Sequence, residues 1–460
     1  MLLPDTKQLK SVWQLAWPTM LEEFMSTSVQ YADMFMVGSL GTLATAAVGT
    51  TATINWLVGG TVNALGVGFL AFISRSLGAG QTQKARRAAA QSVLAALCTG
   101  VLFTVITLAV SGVLPKWMQA EEEVRPLASR YFFILYTPML FRTAAAIFGA
   151  VLRSAGDTRT PMRIGLVTNL INVVLNFFLI YNTRTLHIFG SSFVCPGAGL
   201  GVEGAAAASA VSFVFCGAAM AVSLYRHEAV SPKGYSLRPD KTVLAPCLRI
   251  ALPNMAQRFC TSSGYVVFSG LINGLGTTAT AAHTVANTVE SMFYIPAYGM
   301  QAAAAALTGR AIGERKPEKL SGQDRSFLFL QILLMSMTGA LLFAFAPQLV
   351  RIFSKDPEVI RLGSLVLRMV AVSEPFYGVS VVTEGMLQGA GLTAKPFLFN
   401  VISMWAVRNL GTFVFARLLG FGLPGAWACM IAGNMLLMLH FRFYFRKKRP
   451  SLCTGGSEAA

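Results

Sequence analysis

"GTLATAA" at residues 41–47 returns as "GTTATAA" at residues 276–282, a shift of 235 positions. The same shift carries Pro18 onto Pro253, Arg75 onto Arg310, Gly78 onto Gly313, Glu123 onto Glu358 and Pro161 onto Pro396 without a gap. "SAGDTRTP" (154–161) meets "GAGLTAKP" (389–396) in the same register. Farther on the register slips, so that "GVEGA" (201–205) meets "GLPGA" (422–426), because the first half has a longer loop around residues 182–200. This many matches in one register make chance implausible, and internal repeats of this kind occur in some secondary transporters.

Composition says what is being repeated. The 460 residues are 54% hydrophobic and only 12% charged, with a mean hydropathy of +0.58. A soluble domain carries about 25% charged residues. Apolar runs of roughly 20 residues, each able to cross a bilayer as a helix, fall near 15–37, 52–74, 92–114, 131–152, 161–181, 203–225, 250–272, 284–307, 327–349, 362–388, 397–418 and 423–445. They are too long and too solid for barrel strands, which alternate over about 10 residues. The predicted fold is an all-α polytopic membrane protein, with twelve transmembrane helices in two six-helix bundles. Six is even, so both halves start on the same side and the pseudo-twofold axis runs along the membrane normal, as in parallel repeats. The expected divisions are a first bundle over 1–228, a linker over 229–249, a second bundle over 250–449 and a tail over 450–460.

The net charge of +17 could suggest nucleic acid, but its distribution argues against that partner. Arg75, Lys84, Arg86 and Arg87 share one connection with no acid, and Arg310, Arg315, Lys316 and Lys319 gather in another. Residues 38–54 carry no charge. The positive-inside rule then expects a multi-pass membrane protein with both termini cytoplasmic. "MLLPDTKQLKSVW" lacks the layout of a cleaved signal peptide, so the first span is expected to direct insertion. Seven cysteines (98, 195, 216, 247, 260, 429 and 453) show neither metal-ligand spacing nor a disulfide framework.

Ionisable residues inside spans mark function by default. Here they are Glu22, Glu23 and Asp33 in span 1, Arg142, Arg258, Glu290, Glu374, Glu384 and Arg408. Glu22, Ser26, Val29 and Asp33 follow i, i+4, i+7, i+11. Eleven steps of about 100° bring Asp33 back to within roughly 20° of Glu22. This polar stripe is expected to face a cleft between the bundles. Low dielectric penalises the ionised carboxyl, so a carboxyl there can alternate between holding and releasing a proton. Glu23 has Arg258 as its repeat equivalent, which suggests an ion pair of Glu22 or Glu23 with Arg258 across the two halves. Asp33 has Phe268 as its equivalent, so packing of the repeat does not call for an acid. The residues expected to line the cleft are Glu22, Glu23, Ser26, Gln30, Arg258, Thr261, Glu374, Tyr377 and Glu384. His283 is expected at an interface. Gly38, Gly41, Gly274 and Gly276 are expected to permit tight turns.

"WPTMLEEFMSTSVQYADMFMVGSLG" (17–41), the "LRSAGDTRTP" turn (152–161), "NLINVVLN" (169–176) and the six-plus-six repeat together resemble the MATE family of multidrug and toxic compound extrusion transporters over nearly the whole chain. The resemblance implies two bundles, an inner-membrane location, and export of amphipathic organic cations in exchange for protons or sodium. The family's span 1 aspartate, fifteen residues after a proline, falls on Asp33 after Pro18. NorM-type members carry second-half acids that fall here on Thr261 and Tyr377, so those acids are missing. The DinF-type N-x-x-x-D pattern falls on Asn172 and Asn176, with an amide in place of the second acid. The resemblance thus implies a cation-coupling site at Asp33, Asn172 and Asn176, able to take a proton or, weakly, sodium. No cofactor beyond the ion gradient is expected, and no firm metal site. The expected partners are small amphipathic cations and the lipid bilayer, and the expected state is a monomer. Arg142, Arg258 and Arg408 keep open an alternative within the superfamily, a flippase of lipid-linked saccharides. No metal motif, nucleophile–base constellation or nucleotide loop supports an enzyme.

Overall fold

In hydrocarbon every backbone N–H and C=O must find its partner within the segment, so apolar runs of this length become helices. The computed structural model describes residues 5–188 and 191–453. The first half holds α1 (Thr6–Gly38), α2 (Thr42–Gly78), α3 (Thr82–Val110), the one-turn α4 (Leu114–Trp117), α5 (Val124–Tyr136), α6 (Met139–Ser154), α7 (Arg159–Leu179) and α8 (Gly201–Arg226). The second holds α9 (Lys241–Asn273), α10 (Thr277–Phe293), α11 (Ile295–Gly313), α12 (Pro317–Phe353), α13 (Pro357–Gly389), α14 (Ala394–Ile402) and α15 (Gly422–Leu452). After α14 the same pass continues as π-helical turns over Ser403–Leu410 and Phe413–Leu418. α5 and α6 form one pass bent by 50° at Pro138, and α10 and α11 form another, interrupted at Tyr294. Each expected span falls on a described helix or helix pair, and the chain is an all-α polytopic membrane protein of two six-helix bundles.

The duplication extends to backbone conformation. Asp5 and Asp240, 235 apart, cap α1 and α9 by accepting the N–H groups of Lys7 and Thr242. Gly41 and Gly276 open α2 and α10 at φ 114° and 108°, and Gly156 and Gly391 turn at 86° and 74°. Such angles exclude most side chains. Gly274 sits at φ −69°, so the expected need for glycine there is not met. The longer loop of the first half is an antiparallel hairpin of β1 (Asn182–Ile188) and β2 (Ser191–Ala198), pairing Thr185 with Val194. The side chain of Cys195 lies outside the described residues, as do residues 454–460 of the expected tail. Two expected boundaries move: residues 241–249 are the first turns of α9 rather than linker, and α15 runs through 450–452.

All the basic connections lie at the end of the molecule that holds Asp5. There the bundles meet on the pseudo-twofold axis. A side chain at Gly78 would collide with the carbonyl of Arg310, and one at Gly313 with the carbonyl of Arg75. Arg75 reaches across, its Nη2 donating to the Ala390 carbonyl at 2.7 Å. Its repeat mate Arg310 lies against Gly156 in the matching turn of the other bundle. Leu70, Ala150, Ala305 and Ala306 form an apolar bridge between the halves. α1 packs on α7 and on α11, while α2 packs on α9 and α11. α2 and α11 therefore stand between α1 and α9.

Candidate cation-coupling site

Asp33 stands in the last turns of α1, toward the end opposite the basic connections. Its carboxylate faces α7, because α1 lays one side against that helix. The Asn176 side-chain amide donates to Asp33 Oδ1. The same amide donates to Asn172 Oδ1 at 3.1 Å, and Asn172 Nδ2 donates to Ser209 Oγ on α8 at 3.2 Å. Asn172 and Asn176 are i and i+4 on one helix, so both point to one side. Both are buried, whereas Asp33 is partly exposed. Asn176 Oδ1 is buried without a hydrogen-bond partner. Asp33 forms no ion pair among the described residues. The structure thus brings together the three residues proposed from sequence, around one carboxylate met by neutral polar groups.

The rest of the expected cleft set separates into three places. Glu22 pairs with Arg153 of α6 at 3.4 Å and lies beside Gly165 of α7. The span 1 stripe therefore turns into its own bundle rather than into the cleft. Among the described residues neither Glu22 nor Glu23 forms the expected ion pair with Arg258, although Arg258 lies within electrostatic reach of Glu23. Glu23 of α1 and Arg258 of α9 are exposed and within electrostatic reach of each other, and Gln30 is exposed too. Ser26 and Thr261 are half-buried. Glu384 accepts from Gln257 Nε2 at 2.5 Å, a bond within the second bundle between α13 and α9. Tyr377 shares a hydrogen bond with Tyr298, 2.8 Å between hydroxyls. Glu374 is fully buried and lines no cleft.

The arginines also part company. Arg142 lies over the rings of Tyr136 and Phe213 inside the first bundle. Arg408 lies over Tyr265 and Phe268 inside the second. Arg142 and Arg258 flank α2 at Gly59 and Gly60, respectively. No shared arginine-lined chamber results. His283, near the start of α10, is half-buried: its Nδ1 accepts from Trp427 Nε1 at 3.2 Å and its ring packs on Phe268.

Sequence reasoning passed over Asp324. It is 2% exposed and holds Arg442 at 2.5 Å and Arg449 at 3.2 Å, fastening α15 to α12 at the basic end. Its only signal in the sequence was an acid among bases.

The profile of the MatE family matches residues 18–178 and 253–414, one stretch in each bundle. The chain belongs to the MatE family. Among its relatives is the probable multidrug resistance protein NorM of Thermotoga maritima, 30% identical over 424 residues, which are 92% of this chain and 89% of that one. The probable multidrug resistance protein YoeA of Bacillus subtilis is 23% identical over 97% of both chains. A solved MATE structure in a straight conformation superposes with a TM-score of 0.87 at 25% identity, over 97% of each chain. An outward-facing multidrug resistance MATE transporter superposes at 0.88 and 24% identity, again over 97% of each. As a MatE family member the chain is a membrane transporter and not an enzyme.

Proposed function

We propose that the protein is a multidrug efflux antiporter that exports amphipathic organic cations in exchange for protons, with Asp33 as the exchanging group. The observation that carries this reading is the environment of Asp33: a carboxylate within a transmembrane helix, bonded to the Asn176 amide and with no basic partner. An acid kept at a cost of about 3 kcal/mol within a span and left without a fixed counterion is suited to a mobile one. Names of relatives such as the NorM protein support the substrate class. Glu23, exposed on α1, offers such a cation a negative contact. The two bundles would expose the cleft to alternate sides by rocking about their contact at Gly78 and Gly313. In this reading the protein is a monomer of the inner membrane with both termini in the cytoplasm, which the basic connections support.

Sodium is the second reading, favoured by one feature. Asn176 Oδ1 is buried and unpartnered, and it adds a neutral oxygen beside the carboxylate. In proteoliposomes, ethidium efflux driven by an imposed proton gradient, and its loss in Asp33→Asn, test the proposal. Efflux driven by sodium alone would move the assignment to sodium. Accelerated transbilayer movement of a lipid-linked sugar without ethidium efflux would favour the flippase instead.

A further inference from the structure

Glu22 and Glu23 of α1 have Gln257 and Arg258 of α9 as their repeat equivalents. Around the first position of each pair the surroundings have changed in step. Glu22 lies beside Gly165, and its partner Arg153 lies beside Gly149. In the second bundle the equivalents of Gly149 and Gly165 are Glu384 and Asn400. There Glu384 accepts from Gln257 Nε2 at 2.5 Å, with Asn400 beside it. Each bundle thus satisfies one carboxylate internally. The second position is different. Glu23 and Arg258 belong to different bundles, are exposed, and lie within electrostatic reach of each other. Neither forms an ion pair among the described residues. We propose that Arg258 is a tethered competitor of the substrate, resting on Glu23 when the cleft is empty and swinging to Glu384 when an organic cation takes Glu23.

Reach is the first argument. The stem of Arg258 lies along α2 of the first bundle: a side chain at Gly60 would meet its Cβ, Cγ and Cδ at 3.6–3.7 Å. That contact seats the base of the side chain, while no ion pair fixes the guanidinium. Glu23 lies within its reach on the first bundle and Glu384 on its own. Tyr298, 39% exposed, stands within reach of both Arg258 and Glu384. A guanidinium on a long flexible stem can turn between two such carboxylates without movement of its helix.

Charge balance is the second argument. Glu22 and Arg153 neutralise each other. Glu23, Glu384 and Arg258 together leave one negative charge, which one singly charged organic cation makes neutral. With no substrate present, closing the bundles would bury Glu23, and a buried charge without a partner is strongly disfavoured. Arg258 supplies that partner, and Glu384 is left to the amides of Gln257 and Asn400. When a substrate cation takes Glu23, the displaced guanidinium finds Glu384 instead of being stranded. Asp33 has no basic side chain in this role, so closure without substrate still requires its proton. The tethered cation therefore serves the acid that meets substrate and leaves coupling to Asp33.

The test titrates the full-length protein in detergent with ethidium, read by fluorescence polarisation. Arg258→Gln is expected to tighten binding about tenfold, because the fraction of protein with a free Glu23 no longer limits affinity. Arg258→Lys, which keeps the charge, should bind as wild type. Glu384→Gln removes the second seat and should weaken binding about tenfold, but only while Arg258 is present. Glu23→Gln should weaken binding, and on that background Arg258→Gln should no longer tighten it, a coupling that a double-mutant cycle reads. Equal or weaker binding in Arg258→Gln, unchanged binding in Glu384→Gln, or additive effects of Glu23→Gln and Arg258→Gln would overturn the proposal. The inference rests on the reading of the chain as an exporter of organic cations, and the two fail differently. Wild type that binds no ethidium overturns both. Intact proton-driven efflux with ethidium affinity unmoved by Arg258→Gln overturns the tethered cation alone.

Discussion

At the residue scale, Asp33, Asp240 and Asp324 are each held differently. Asp324 has two arginines and almost no water, so Asp324→Ala strands a buried guanidinium. Breaking a buried ion pair from one side costs about 3–5 kcal/mol, and the detergent-solubilised variant should unfold at a clearly lower temperature; an unchanged midpoint would show that the cluster is not buried in solution. Asp240 caps α9 at the protein surface. The Thr242 hydroxyl and N–H, with Arg87 nearby, hold its carboxyl below the usual range. Its contribution to stability is therefore present above the ordinary carboxylate range and fades as pH falls through the lowered value. Wild type should lose more stability on acidification than Asp240→Ala, and parallel pH profiles of thermal unfolding would contradict this. Asp33 was legible in sequence because its repeat equivalent is Phe268, and the i, i+4 asparagines of span 5 were legible from the family pattern. What Glu22 pairs with was not: periodicity gives the face of a helix, not the helix that it meets.

At the element scale, small residues decide where helices touch. A side chain at Gly299 of α11 would collide with the backbone of Met20 in α1. At that contact Thr19 donates its hydroxyl to the Gly299 carbonyl at 2.7 Å. Gly299→Val should cost about 1–3 kcal/mol by overpacking, measurable as a lowered midpoint of thermal unfolding; full tolerance would mean that α1 is not seated on α11. Eight helices are long and apolar enough to cross a bilayer by length and composition alone, or nine with the bent α5–α6 pair. α1, α9 and the α10–α11 pair fall outside that set. They carry acids, arginines or a break, and they are the elements along which the halves meet. The repeat recovered them, because each has a partner at the same shift. The hairpin between α7 and α8 left no such trace, since it has no counterpart in the second half.

At the scale of the whole molecule, the pseudo-twofold places the same residues on both sides of one contact. Arg75 crosses to the C-terminal end of α13, where helix carbonyls favour a cation, and Arg310 makes the matching approach to the turn after α6. Gly78→Val should push Arg310 away and open the basic end. Ser74→Cys, buried beneath Gly309, then reports the change on a background without the native cysteines. A membrane-impermeant maleimide should label it about tenfold faster in Gly78→Val, as expected for a gate shifted by some 1.4 kcal/mol. Equal labelling rates would mean that this contact does not hold the end closed.

The central claim concerns a single carboxylate, and the most direct measurement is substrate efflux coupled to an imposed proton gradient, made on wild type and Asp33→Asn side by side in the same vesicles. The account predicts that Asp33→Asn binds ethidium but no longer moves it against its gradient when protons are supplied. Uphill efflux at the wild-type rate in Asp33→Asn would contradict it.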